Sequence, residues 1–163
     1  MKQTDKTVIS ERAKEYIDTV RIGKVCRIAL VSPEDVSVVW PSILEYVEEV
    51  VSHSQGEATS DHYYEELTSG TMQLWVSIEG KEVLACMVTQ IAPYPNKQVL
   101  RIIALGGVEM EKWIQFLPDI EHWAMNVGCT SLEAWGRKGW LRILQDWKCS
   151  YHILTKELTA RMH

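Results

Sequence analysis

Residues 98–135 read QVLRIIALGG, VEMEKWIQFLPDIEHWAMNVG and CTSLEAW, and this stretch decides the fold. Leu100, Ile102, Ile103, Ala104 and Leu105 form a nearly unbroken apolar run, the pattern of a strand covered on both faces. Gly106 and Gly107 follow, where freedom of backbone angle allows a sharp turn into a helix. Trp113, Phe116, Leu117, Ile120, Trp123, Ala124 and Val127 recur at steps of three and four, which makes one apolar helix face. Gly128 stands at the expected C-cap, and SLEAW reads as a short second strand. A strand, a covering helix and a strand form a βαβ unit, whose two strands run parallel. Gln98–Gly106 is therefore expected to be an interior strand parallel to Ser131–Trp135, with Pro118 kinking or splitting the helix between them. The turn after the first strand aims N–H groups and a helix N-terminus at one point, so it is the first place to look for a site.

Outward from this unit, the chain has a single-domain length of 163 residues with 46% hydrophobic and 24% charged residues. No apolar run approaches the roughly 20 residues that a membrane span requires. The N-terminus, MKQTDKTVISERAKEY, lacks the apolar segment of a secretory signal, which predicts a cytoplasmic protein with no membrane partner. The net charge of −5 argues against a nucleic-acid partner. Cys26, Cys86, Cys129 and Cys149 are scattered without a C-x-x-C pair and read as reduced, mostly buried thiols. The five histidines show no metal-ligand spacing, so no metal is expected.

Ser10 and ERAKEYIDTVRIG read as a capped helix ending near Gly23, with a narrow apolar face of Ala13, Tyr16, Ile17 and Val20. Residues 1–24 are thus an N-terminal helical extension, and residues 25–163 a single domain. In that domain VCRIALV (25–31) is the first strand. Ser32–Asp35 turns into a helix from about Val36 to His53, whose regular part Pro41 places from about Trp40. Glu45, Glu48 and Glu49 fall on its solvated side. Asp61–Leu67 is a short helix with Ser60 as N-cap, and Ser69-Gly70 ends it. Met72–Glu79 and Glu82–Ala92 form a hairpin across Gly80. After the βαβ unit, WLRILQDWK is predicted as a helix and SYHILTKEL as the final strand. The order β-α-α-β-β-β-α-β-α-β gives a mixed α/β sheet, mostly antiparallel, with helices on both faces.

Over residues 25–158 this order resembles the GNAT superfamily of acyl-CoA-dependent N-acetyltransferases. More narrowly, WPSILEYVEEVVSHSQGE, LWVSIEGKEVLACMVTQI, YPNKQVLRIIALGG and GCTSLEAWGRKGWLRIL resemble small GNAT-like proteins of tailed bacteriophages. The resemblance implies acetyl-CoA as coenzyme and a small-molecule or protein amine as acceptor. Leu105, Gly106, Gly107 and Val108 then correspond to the coenzyme-binding turn, with Arg137 and Lys138 as further phosphate contacts at the next helix start. The family's Q/R-x-x-G-x-G/A signature is here Ala104-Leu105-Gly106-Gly107-Val108-Glu109, shorter and without the basic lead residue. Glu109 and Glu111 occupy the first turn of the helix, where their charge opposes a pyrophosphate.

Direct acyl transfer requires a base for the ammonium, an acid for the thiolate and amides to polarise the carbonyl. Glu133 on the second strand is the candidate base, although strand alternation also lets it face solvent opposite Leu132. The family's tyrosine belongs to the preceding helix, which offers only Trp140 and Trp147 here, so Tyr151 stands as the candidate acid. Two readings follow. One is an N-acetyltransferase of the host cytoplasm. The other is a non-catalytic GNAT-like phage protein, structural, assembly-related or host-interacting, docked or self-associated through the N-terminal helix.

Overall fold

The computed structural model describes residues 26–108, 113–136 and 138–160. The N-terminal helix expected over residues 10–23, the acidic pair Glu109 and Glu111, and Arg137 all lie outside the described residues. The described elements are β1 (Cys26–Val31), α1 (Val36–Ser52), α2 (Ser60–Ser69), β2 (Gln73–Glu79), β3 (Glu82–Tyr94), β4 (Lys97–Gly107), α3 (Leu117–Asn126) and β5 (Ser131–Ala134), with short 3-10 turns between some of them. Among the described residues the strands form one sheet in the order β1-β2-β3-β4-β5. Every neighbouring pair is antiparallel except β4 and β5, which are parallel from Val99↔Ser131 to Ile102↔Ala134. The mixed α/β sheet, mostly antiparallel with a parallel β4–β5 pair, is the architecture the sequence predicts, but β5 and not a further strand stands last in it among the described residues.

Two apolar layers clamp this sheet. On one face Val36, Val39, Ile43 and Val47 of α1, with Tyr63 and Leu67 of α2, bury against Ala29, Val31, Leu74, Val76, Cys86 and Val88. On the other, Phe116, Leu117, Ile120 and Ala124 bury against Ile28, Trp75, Met87, Leu100 and Ile102. Trp113 is buried in this second layer, and Trp123 meets Trp75 edge to face at 5.2 Å, so both tryptophans face the sheet as their spacing predicts. His122 is exposed, as expected, but Val127 is exposed too and does not extend the apolar face.

Several boundaries depart from expectation. The helix α1 starts at Val36 as expected, but it is regular from there rather than from about Trp40, with Pro41 inside it. A 3-10 turn over Pro33–Asp35 and burial of Val36 and Val39 hold the turn ahead of the proline, offsetting the one hydrogen bond it removes. The cap of α2 is Thr59, one residue earlier than Ser60, because its hydroxyl accepts the His62 amide at 3.1 Å. Pro118 splits the predicted long helix: a 3-10 turn over Ile114–Phe116 precedes α3, in whose first turn the proline sits. No intrahelical partner is lost there.

The double glycine is not a turn but the end of β4, Gly106 opposite Cys86 and Gly107 opposite Ala85. A Cβ at Gly106 would lie 2.9 Å from the Tyr46 carbonyl oxygen and from Val50 Cγ2, so α1 presses directly on the strand here. At Gly107, with φ +140°, a Cβ would lie 2.3 Å from the Leu84 carbonyl oxygen and 2.5 Å from Ala85 Cα. The packing of α1 and β3, not only backbone freedom, requires these two residues.

The chain's last two predicted elements do not form. WLRILQDWK makes only a 3-10 helix over Lys138–Arg142, then irregular turns that set Leu144 into the second core with Trp140 and Trp147 packed against it. Nine residues are too few for a stable helix without a continuous apolar face, and here three anchors hold the segment instead. SYHILTKEL forms no strand; residues 147–160 carry no regular structure.

Gly107→Ala is expected to destabilise the domain by about 2 kcal/mol or more in urea denaturation, from backbone strain and a clash with β3. Gly139→Ala, where a Cβ meets nothing within 4 Å, is expected to stay within about 0.5 kcal/mol of wild type.

Candidate functional site: the fork between strands β4 and β5

Parallel pairing stops at Ile102 and Ala134, yet β4 runs on to Gly107. Because β5 ends at Ala134, no described strand borders β4 on the β5 side beyond Ile102, and this opening beside the β4 overhang is called the fork. Just past the last rung, Ile103 has no partner on β3, where the register steps from Thr89↔Ile102 to Val88↔Ala104. This β-bulge bends the strand and resets which residues face which layer. Leu100 and Ile102 pack on the α3 side, Ile103 and Ala104 on the α1 side, and Leu105 on the α3 side again. A strand edge without a neighbour presents N–H and C=O groups to whatever enters the fork. Leu105, Gly106 and Gly107 lie on that arm, and Val108, 49% exposed, stands at its end with its amide donated to the Leu84 carbonyl at 2.8 Å. Opposite Gly106, burial pushes the Cys86 thiol up to about 12, which makes it an inert packing group.

One polar cluster stands beside the fork. Arg101 and Glu133 face each other across β4 and β5, one rung before the strands part. Arg101 Nε donates to Glu133 Oε1 at 2.7 Å, and its Nη2 donates to the Tyr94 hydroxyl at 2.9 Å. The Tyr94 hydroxyl donates to Glu133 Oε2 at 3.0 Å, and Trp135 Nε1 donates to Oε1 at 3.2 Å. The Arg101 guanidinium also lies 4.7 Å from the centroid of the Trp135 ring. This cluster shares the sheet face of α1, but α1 meets β4 at Gly106, about 17 Å further along at 3.4 Å per residue. The corner is open, with Trp135 64% and Tyr94 41% exposed.

Electrostatics fix the charge states. Partial burial alone would raise the Glu133 pKa, but hydrogen bonds from Arg101 and Tyr94 and the Arg101 charge outweigh it and hold the carboxyl below its ordinary range. Partial burial likewise acts to lower the Arg101 pKa, and its bonds to Glu133 and Tyr94 carry it above the ordinary value. Glu133 is therefore neither the free surface carboxylate that strand alternation allows nor an unpaired base. Its partner Arg101 was within reach of the sequence, since register across a parallel pair puts the two side by side. Tyr94 and Trp135 were missed, because only the ends of β3 and β5 bring them there.

The other predicted site residues are spread apart. Tyr151 is 90% exposed in the irregular C-terminal segment, and Lys138 opens the 3-10 helix after β5. Among the described residues no three of His, Cys, Asp and Glu gather as a metal site, and no helix is long and apolar enough to cross a membrane. Cys26, Cys86 and Cys129 are buried and Cys149 is exposed, and none of the four is in a disulfide.

Because the folded-state pKa of Glu133 is depressed, its ion pair stabilises the protein above the ordinary carboxylate value near 4.5 and is lost as pH falls through the lowered value. Thermal melts between pH 7 and 3 are expected to show Glu133→Gln below wild type by roughly 0.5–1 kcal/mol at pH 7. The gap is expected to close at the acid end.

No family model matches the chain, and no curated protein matches it by sequence. Its fold does match solved structures. An aminoglycoside acetyltransferase from an uncultured soil metagenomic sample superposes with a TM-score of 0.62 at 12% identity, over 86% of this chain and 100% of that one. A GNAT family acetyltransferase of Staphylococcus aureus gives 0.59 at 12% identity, over 83% and 100%. A transcriptional regulator from Bacillus halodurans gives 0.59 at 14% identity, over 82% and 99%. The forked sheet with its parallel edge pair is the fold of the GNAT acetyltransferases.

Proposed function

We propose that the protein is an N-acetyltransferase that takes acetyl-CoA in the β4–β5 fork and an amine beside it. The observation that carries this reading is the arm of β4 from Ile103 to Gly107, which among the described residues no strand borders on the β5 side once the parallel pairing ends. Coenzyme A carries amide groups along an extended chain, and such a chain satisfies a free strand edge as another strand would. The donor set on this arm, backbone amides in a strand otherwise clamped by two cores, fits that chemistry. Gly106 and Gly107 serve the reading by keeping α1 and β3 close to the arm rather than by cradling phosphate, since the space a Cβ would need is already taken by protein.

In the reaction, the free amine nitrogen attacks the thioester carbonyl, the C–N bond forms and the C–S bond breaks. The proton shed by the nitrogen passes through water to the departing coenzyme A thiolate, which leaves as the free thiol. Free backbone amides of the β4 arm polarise the carbonyl. A carboxylate held by Arg101, Tyr94 and Trp135 is a weak base, so Glu133 acts as a fixed negative charge that positions an ammonium group beside the fork. Tyr151 can serve as acid only if the C-terminal segment closes on the site. An aminoglycoside acetyltransferase of this fold has been crystallised with sisomicin, and polyamine-like acceptors of that kind are the first to try here.

The non-catalytic reading rests on the coenzyme turn itself, where Glu109 and Glu111 follow the glycines and no basic residue leads them. None of the structures named above is a phage protein, and a phage role rests on the quoted sequence segments alone. In that reading the N-terminal extension is the docking element. Deleting residues 1–22 is then expected to leave the melting temperature little changed while altering oligomeric state in light scattering, because an apolar face of four residues contributes little to the core.

Calorimetry with acetyl-CoA decides between the two readings. The enzyme reading expects saturable binding at millimolar ligand or below, with release of free thiol when an amine acceptor is added. Val108→Glu, placed at the exposed end of the arm, is expected to weaken binding about tenfold or more at unchanged melting temperature, by charge repulsion. No binding at millimolar acetyl-CoA overturns the enzyme reading.

A further inference from the structure

The segment that follows β4 and the segment that follows β5 meet on the α3 side of the sheet. Trp113 belongs to the first and Trp140 to the second, and their ring centroids stand 6.4 Å apart with the planes at 57°. Both rings belong to the α3-side core, against which Leu105 of the β4 arm also packs. The two tryptophans therefore tie together the segments beyond the last parallel rung, Ile102↔Ala134.

One atom of this pair is out of keeping with its place. Trp113 is only 4% exposed, and its indole Nε1, out of reach of solvent, has no hydrogen-bond partner among the described residues. Phe116, Leu117 and Leu144 of the same layer carry no side-chain acceptor, and Trp140 offers only a second donor. The other deeply buried indole of this core is satisfied, since Trp75 Nε1 donates to the Thr89 hydroxyl at 3.0 Å. A buried donor without an acceptor costs free energy, so the Trp113 N–H calls for a partner that the free protein does not supply. Its neighbour is lightly held. Trp140 is half-buried on the short 3-10 helix Lys138–Arg142, a geometry with poorer hydrogen bonds than an α-helix. Its ring lies against Gly136, where a Cβ would come 3.3 Å from its Cδ1.

We propose, resting on the coenzyme reading above, that the Trp113 indole N–H is a binding donor for acetyl-CoA. It takes a carbonyl of the coenzyme's amide chain once Trp140 moves aside. A chain that pairs along the β4 arm spends on that edge only the groups directed at it, and a carbonyl turned away needs a donor of its own. Trp113 supplies one from the α3 side. Because the free protein holds this donor unsatisfied, the ligand relieves a cost already present, and that relief favours the bound state.

NMR of the wild-type protein, with its indole N–H resonances assigned by triple-resonance spectra, reads the donor directly. Saturating acetyl-CoA is expected to move the Trp113 indole proton downfield, as a newly hydrogen-bonded N–H does, and to shift that of Trp140 with it. Adenosine 3′,5′-bisphosphate, which carries phosphates and no amide chain, is expected to leave the Trp113 proton in place. Trp113→Phe keeps an aromatic ring and loses the N–H. Calorimetry is expected to show it binding acetyl-CoA about tenfold more weakly, with circular dichroism unchanged. An unmoved Trp113 proton at saturation overturns the proposal. So does a shift produced by the bisphosphate, and so does a folded Trp113→Phe that binds as tightly as wild type. No acetyl-CoA binding to wild type removes the enzyme reading and this proposal with it, whereas binding with an unmoved proton removes the proposal alone.

Discussion

Everything in this fold leans on β4, which must serve a long antiparallel neighbour and a short parallel one while a helix lies almost on its backbone. Its pairing with β3 runs from Tyr94↔Lys97 to Ala85↔Gly107, whereas its pairing with β5 ends at Ile102↔Ala134. The contact of α1 with the far end of β4 tolerates no side chain at Gly106, and the β3 backbone tolerates none at Gly107. Two glycines in a strand cost conformational entropy. That cost is offset by the close approach of α1, whose Val39, Ile43 and Val47 are buried in the core it shares with β1, β2 and β3.

The fork is a consequence of that arrangement. The β4 bulge at Ile103 falls one residue past the last of four parallel rungs, where β5 ends at Ala134. The arm beyond is rigid because it is held on its other side by β3 and on its faces by two cores. A rigid strand edge that no described strand covers suits recognition better than a loop does. Beside it, Arg101, Tyr94, Glu133 and Trp135 use one another's hydrogen-bonding capacity, so the cluster presents a fixed pattern of charge rather than a mobile one. The pattern is negative only locally, since Arg101 balances Glu133, and selectivity for a cationic amine would come from position more than from net charge.

Sequence periodicity carried the architecture because burial leaves a strong trace in residue type. The apolar run of β4, the three-and-four spacing through Trp113, Phe116, Ile120 and Ala124, and the hairpin signal at Gly80 each reflect a face that must leave water. The same logic failed where an element has no face of its own. SYHILTKEL has the composition of a strand, but a strand exists only when paired, composition does not specify the pairing, and residues 150–158 carry no regular structure. The double glycine misled for a related reason: glycine marks both tight turns and close backbone approaches, and only the position of α1 tells them apart.

Taken alone, the amino-acid sequence determined the order of elements from β1 to β5, the two apolar layers, the parallel β4–β5 pair and the placement of Glu133 on β5, since each follows from local pattern and chain connectivity. Tertiary structure alone decided the bulge at Ile103, the packing demand at Gly106 and Gly107, and the assembly of Tyr94, Arg101, Glu133 and Trp135 around one carboxylate. Those features depend on register between strands and on distances between elements far apart in the chain. Such distances are set by how two cores fill space on either side of one sheet, and no local window of sequence contains them.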